Sequence, residues 1–283
     1  MLASLNAELF KLRKRTALWL IVAVWVVLSL LFGYVFPYLS YHGIAAGPGA
    51  AGGESAQRAI SSALPGDLAS TAIAGFPLFA GALAMILGVL TVGSEYGWQT
   101  VKVMFTQGPR RGSVLAGKVG AVLVVMLGIV ILTFVLDGAA SLLVASMADK
   151  AVSWPAFGDI LRGVGGGWLI VSMWALGGLF LGFLLRGTAI AVGLGLVWAL
   201  AVENLLRAFA STIGVIDWLQ KYFPGTNAGS LAAALGVPAM GADGGTPGIT
   251  AAVSGTQAAI VLACYLVVFV GISAILLNRR DVA

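Results

Sequence analysis

The chain has 283 residues, 60% of them hydrophobic and only 10% charged, with a mean hydropathy of +1.01. Soluble domains carry about 25% charged residues, so this composition excludes an ordinary globular surface and predicts an all-α integral membrane protein. One cysteine (Cys264) and one histidine (His42) exclude an intrachain disulfide framework and a cysteine-based zinc site.

From the N-terminus, LASLNAELFKLRKR sets Leu2, Leu5, Leu9 and Leu12 on one stripe, with its basic residues at the membrane end. This predicts an interfacial helix over 1–16, lying on anionic lipid. Six apolar runs then meet the requirement of about 20 residues for a membrane span: roughly 17–36, 72–93, 119–147, 164–185, 187–207 and 258–277. The first run is too long for a cleavable signal peptide and reads as a retained anchor. The segment 37–71 contains the glycine-rich GIAAGPGAAGGES and reads as a flexible loop, with His42 solvated at its start.

Between spans two and three, the sequence predicts a short helix over 94–108. Ser94 can cap it, Glu95 suits its first turn, and Gly108-Pro109 ends it. Glu95, Trp98, Lys102 and Phe105 share one face at i, i+3, i+7 and i+10, a surface suited to a protein groove. The stretch RRGSVLAGKV (Arg110–Val119) holds G-x-x-x-x-G-K, the outline of a phosphate-binding loop. No strand precedes it, and Val119 stands where a Mg²⁺-holding hydroxyl is required, so the match reads as accidental. Lys118 then reads as a lysine snorkelling at the membrane interface.

Beyond span five, the segment 208–257 reads as a pair of short helices on or in the outer leaflet. Ile213, Ile216, Leu219 and Phe223 recur at helical spacing, Pro224-Gly225 stops the first helix, and SLAAALGV forms the second. Trp218 and Tyr222 suit the interface. Asp137 in span three and Glu203 in span five are ionisable groups within apolar runs and hence candidate path-lining residues. Arg207, four residues after Glu203, can pair with it. Gly178 and Gly182 have G-x-x-x-G spacing in span four.

Lysine and arginine set the orientation. With the N-terminus inside, eleven basic residues are cytoplasmic (Lys11, Arg13, Lys14, Arg15, Lys102, Arg110, Arg111, Lys118, Arg186, Arg279, Arg280) and five are outside (Arg58, Lys150, Arg162, Arg207, Lys221). Both termini are therefore expected in the cytoplasm. The net charge of +5 needs no nucleic acid to explain it.

The loop series Glu95-Tyr96, Trp98, Thr100, Lys102, Thr106, Gly108-Pro109, Arg111 and Lys118 resembles that of the membrane subunits of ABC-2-type ABC transporters. The flanks LNAELFKLRKR and NRRDVA and the six-span plan agree, whereas Gln99 stands where the family usually has Gly. The resemblance covers the whole chain, 1–283, as a single transmembrane domain. It implies that 94–108 is a coupling helix, with Glu95, Tyr96, Trp98, Thr100, Lys102, Phe105 and Arg111 contacting a separate ABC ATPase present in two copies. It further implies a homodimer, or a dimer with a similar permease, in the plasma membrane. The chain itself would hold no cofactor and catalyse no reaction; ATP and Mg²⁺ would belong to the partner. Another reading is a secondary transporter or channel using Asp137 and Glu203 for ion coupling. An intramembrane hydrolase fits poorly, because His42 is the only histidine and no G-x-S-x-G elbow occurs.

Overall fold

The computed structural model describes residues 2–44, 53–97, 110–210, 212–241 and 245–279. Among these residues it is helical apart from loops and turns. Ten helical segments follow in order among the described residues: α1 (Leu2–Lys14), α2 (Thr16–Tyr41), α3 (Gly53–Ser62), α4 (Pro65–Gly97), α5 (Arg111–Met147), α6 (Phe157–Leu185), α7 (Thr188–Ala210), α8 (Gly214–Gln220), α9 (Pro224–Ala234) and α10 (Gly255–Arg279). Six of them, α2, α4, α5, α6, α7 and α10, are long and apolar enough to cross a membrane. The chain is thus consistent with a multi-pass membrane protein.

A helix long and apolar enough to cross a membrane covers each of the six expected spans, and each is longer than expected. Span two begins at Pro65 and span three at Arg111, well outside their apolar cores. Hydropathy marks the stretch that must sit in hydrocarbon, whereas backbone hydrogen bonding carries a helix on past it. The segment read as a flexible loop also contains order: α2 runs on to Tyr41, and α3 is an added helix. His42 lies beside Tyr38 and Tyr41 at the end of α2, tilted to the first and edge-on to the second, with ring centroids 4.5 and 5.2 Å away.

Helix α6 is the centre of the bundle. It is the most enclosed span, 67% buried, against 17% for α2 and α10. α4, α5, α7, α9 and α10 all pack against it, and Ile170, Met173, Leu176 and Leu179 fill the core. The tightest pair is α4 with α6, and glycine is the reason. A Cβ at Gly88 would fall on the carbonyl oxygen of Ala175, and one at Gly178 on that of Met85. Gly182 continues the contact, its hypothetical Cβ 3.1 Å from Val92 Cβ. The G-x-x-x-G spacing therefore marks a real close approach of two backbones.

The expected helix pair after span five exists as α8 and α9, with one difference. Pro224 does not merely stop the first helix; it occupies the opening turn of the second, where its missing N–H is no loss. Trp218 on α8 and Tyr222 just beyond it are exposed. α9 is buried from Pro224 to Ala232, tucked between α10, α6 and the Phe76–Ala80 turn of α4.

Candidate functional site

Two sets of charged residues are enclosed by the bundle. The first lies at the end that carries Leu2 and Arg279. α1 folds back across α5, and small residues permit it: a Cβ at Gly117 would lie 2.8 Å from Ser4 Cβ, and one at Gly120 3.2 Å from a Leu5 methyl. Ser4 and Ser113 share a hydrogen bond of 3.0 Å. This contact turns Leu5, Glu8 and Leu12 toward the protein and leaves Leu2 exposed, so the leucine stripe does not lie wholly on lipid.

Glu8 thereby meets Lys11, Glu95 and Lys118 in an alternating ring. Lys11 Nζ is 2.6 Å from Glu8 and 3.0 Å from Glu95; Lys118 Nζ is 3.2 Å from Glu8 and 2.7 Å from Glu95. Lys118 also donates to the Thr91 carbonyl at 3.2 Å. Two acids and two bases give no net charge, the condition under which buried ions are tolerable. The side chain of Lys118 is 2% exposed and that of Glu95 7%, while Lys11 at 40% still reaches solvent. Burial pulls the Lys11 pKa down, but the Glu8 hydrogen bond and the Glu95 charge outweigh it, leaving the pKa above its ordinary value.

Three expectations change here. Lys118 is not a snorkelling residue, because α1 covers it. Ser94 does not cap a new helix: it lies within α4 and donates to the Leu90 carbonyl at 2.6 Å. Glu95 sits in the last turn of that same helix, buried in the ring rather than on an outward face. Tyr96, half-buried, packs on the core. Trp98, Thr100, Lys102 and Phe105, with most of the expected 94–108 helix, lie outside the described residues. The stretch Gly112–Lys118 forms the first turns of α5, so no loop exists there to cradle phosphate. Its second glycine serves the approach of α1, and its lysine serves the ring. Arg111 donates to the carbonyls of Leu277 and Asn278, at 2.9 and 3.2 Å, satisfying the C-terminal end of α10.

The second set surrounds Glu203, which is fully buried. Its Oε1 accepts from Trp198 Nε1 at 2.9 Å, and its Oε2 lies 3.9 Å from Arg207 Nη2. The pairing with Arg207 expected from spacing is present. The bond to Trp198 spans five residues and depends on a π-helical turn over Val197–Val202, which brings i and i+5 onto one side. The carboxylate also meets the opening turn of α9, where the backbone of Gly225 and Thr226 lies against it. A Cβ at Gly225 would fall on Glu203 Oε2. A carboxylate at a helix N-terminus complements the dipole, and Glu203 on α7 lies against the first turn of α9.

Because the Glu203 carboxyl packs directly on Gly225, where a larger side chain would collide with α9, exchanging the two charges is expected to fail. The Glu203→Arg/Arg207→Glu double variant should be no more thermostable in detergent than the worse single reversal. Glu203→Gln, which keeps an acceptor for Trp198, should be the mildest change. Recovery of stability in the exchanged pair would show that α9 plays no part.

Asp137 is held elsewhere. Ser29 Oγ on α2 lies 3.1 and 2.9 Å from its two carboxylate oxygens, and Asp137 is 1% exposed. The two candidate path residues are thus not brought together; each joins a different pair of helices. Glu8 and Trp198 escaped the sequence reading. Glu8 carried a usable signal, an acid interrupting an apolar stripe next to lysine.

A family model described as a protein of unknown function (DUF2705) matches residues 57–283, most of the chain. The chain belongs to this family. A search of curated proteins finds no match. The matched region of this DUF2705 member takes in Glu95, Lys118 and Glu203 and leaves out α1, which supplies Glu8 and Lys11.

Proposed function

We propose that the chain is the membrane-spanning permease subunit of an ATP-driven ABC exporter in the plasma membrane. It works as a dimer with two separate ATPase subunits that bind ATP and Mg²⁺, and both of its termini are cytoplasmic. The observation that carries this reading is the ring of Glu8, Lys11, Glu95 and Lys118. It ties the end of α4 to the beginning of α5 and both to α1. The segment between, 98–109, is therefore joined at each side to a fixed base. A segment anchored in this way can pass a push from a bound ATPase directly into two spans. Trp98, Thr100, Lys102 and Phe105 are its contact residues, while Glu95 acts from beneath as a positioning residue.

The ion-coupled carrier is less well supported. It needs an acid free to exchange its ion, whereas Asp137 already engages Ser29, and Glu203 engages Trp198 and Arg207.

Two measurements test the proposal. The purified chain alone should hydrolyse no ATP. Co-expressed with its ABC ATPase, Trp98→Ala should weaken co-purification by about 2 kcal/mol or more, as expected for a buried aromatic anchor at an interface, without changing membrane insertion. Undiminished co-purification and transport in both Trp98→Ala and Lys102→Ala would remove this segment from the mechanism.

A further inference from the structure

Helices α7 and α10 both pack on α6, but they make no extended contact with each other. Between them lies a cavity of about 340 Å³, walled by Met85, Trp174, Leu194, Trp198, Tyr265 and Phe269. This volume is within the range of small-molecule sites, which span about 300–1,000 Å³. The lining residues lie mid-length on α6, α7 and α10, the level of hydrocarbon in a spanned bilayer.

We propose that this cleft holds an acyl chain of a bilayer lipid. Its polar groups are turned away from any occupant. Trp198 Nε1 is committed to Glu203 at 2.9 Å, and Tyr265 Oη donates to the Tyr222 carbonyl at 3.0 Å. The pyrrole edge of Trp174 lies against α4, where a Cβ at Gly81 would be 2.7 Å from its Nε1. A polar or charged ligand would lose its hydration and gain no partner here. A hydrocarbon chain loses nothing.

The route of access makes the same choice. The mouth is formed by Leu194 and Val197, 51% and 54% exposed, on a helix whose outward surface is apolar. α7 and α10 are among the least enclosed spans, 22% and 17% buried, so in a bilayer the mouth opens sideways onto lipid. Pro224, at the opening of α9, also lines the cavity. The same helix start that meets Glu203 therefore contributes to its wall. The inference needs only that the six helices span a membrane, and it holds whether or not an ATPase binds.

The test uses the full chain in nanodiscs made wholly of phosphatidylcholine with brominated acyl chains, which quench tryptophan on contact. The signal of each tryptophan is the difference between wild type and its Phe variant. Trp174 and Trp25 are equally hidden within the protein, 4% and 3% exposed, but only Trp174 lines the cleft. Trp174 should be quenched nearly as strongly as Trp198 at the mouth, and Trp25 hardly at all. Filling the mouth with Leu194→Phe or Val197→Phe should remove most of the Trp174 quenching. Val267→Phe, on an exposed face of α10 away from the cleft, should leave it intact. An unquenched Trp174 in wild type would overturn the proposal, including the case in which a second copy of the chain covers the mouth. Quenching that persists in both filled variants would overturn it equally. Neither result bears on co-purification with an ATPase.

Discussion

Gly178→Ala is expected to be among the most damaging single changes in the protein, although it adds one methyl group. The added Cβ would land on the carbonyl oxygen of Met85. Backbone has no rotamer with which to yield, so α4 and α6 must separate along their shared seam. Overpacking costs about 1–3 kcal/mol where side chains can adjust, and a backbone collision belongs at or above the upper end. Gly88→Ala should behave alike, since its Cβ would strike Ala175 from the opposite wall of the same contact. The comparison is Gly128→Ala in α5, where nothing lies within 4 Å of the new atom. There, helix propensity alone favours alanine by about 1 kcal/mol. Thermal unfolding in one detergent separates the cases: Gly178→Ala and Gly88→Ala should melt well below wild type, and Gly128→Ala at or above it. Equal melting of Gly178→Ala and Gly128→Ala would mean that the two helices do not meet as closely as the fold requires.

These glycines also mark the boundary of what the sequence makes legible. The six spans are readable because a bilayer demands long runs of apolar residues, a constraint local to each run. Gly178 and Gly182 carry a spacing consistent with close packing, but spacing alone cannot say that the opposing surface is Gly88 on α4. The Glu203–Arg207 pair is readable because both residues lie on one helix, four apart. The Trp198–Glu203 bond is not, since it requires a π-helical turn that no residue pattern announces. Glu95 and Lys118 illustrate the larger difficulty. Read along the chain, one looks like the first acid of a new helix and the other like an interfacial lysine. What joins them is Glu8, from a helix that folds back only because Gly117 and Gly120 leave room for Ser4 and Leu5. Each step of that chain is simple physical chemistry, but the contact brings together residues roughly a hundred positions apart, and periodicity has no such reach.

Removing Lys118 is expected to unseat α1. In Lys118→Met, two buried carboxylates, 8% and 7% exposed, lose their most buried partner, and Lys11, which still bridges them, is 40% exposed. Breaking a buried ion network by deleting one member costs about 3–5 kcal/mol, because an uncompensated charge remains in a poorly solvated site. The remedy follows from charge balance. Lys118→Met combined with Glu95→Met returns the ring to one acid and one base, and replacing a buried ion pair by well-packed apolar groups is often neutral. The double variant should therefore recover most of the stability that Lys118→Met loses, a coupling of about 2 kcal/mol or more for residues in direct contact. Thermal unfolding of the two single variants and the double completes the cycle. A simple sum of the single losses would show that the four charges do not act as a ring. The double variant also separates holding the fold from transmitting motion. It keeps α1 seated through the Ser4–Ser113 hydrogen bond and the close approach at Gly117 and Gly120, with Glu8 and Lys11 neutralising each other within α1, but the charged tie between the end of α4 and the beginning of α5 is gone. If the segment 98–109 passes force from an ATPase into these two helices, the rescued protein should still assemble with that ATPase and transport poorly. Full transport with full stability would confine the ring to folding.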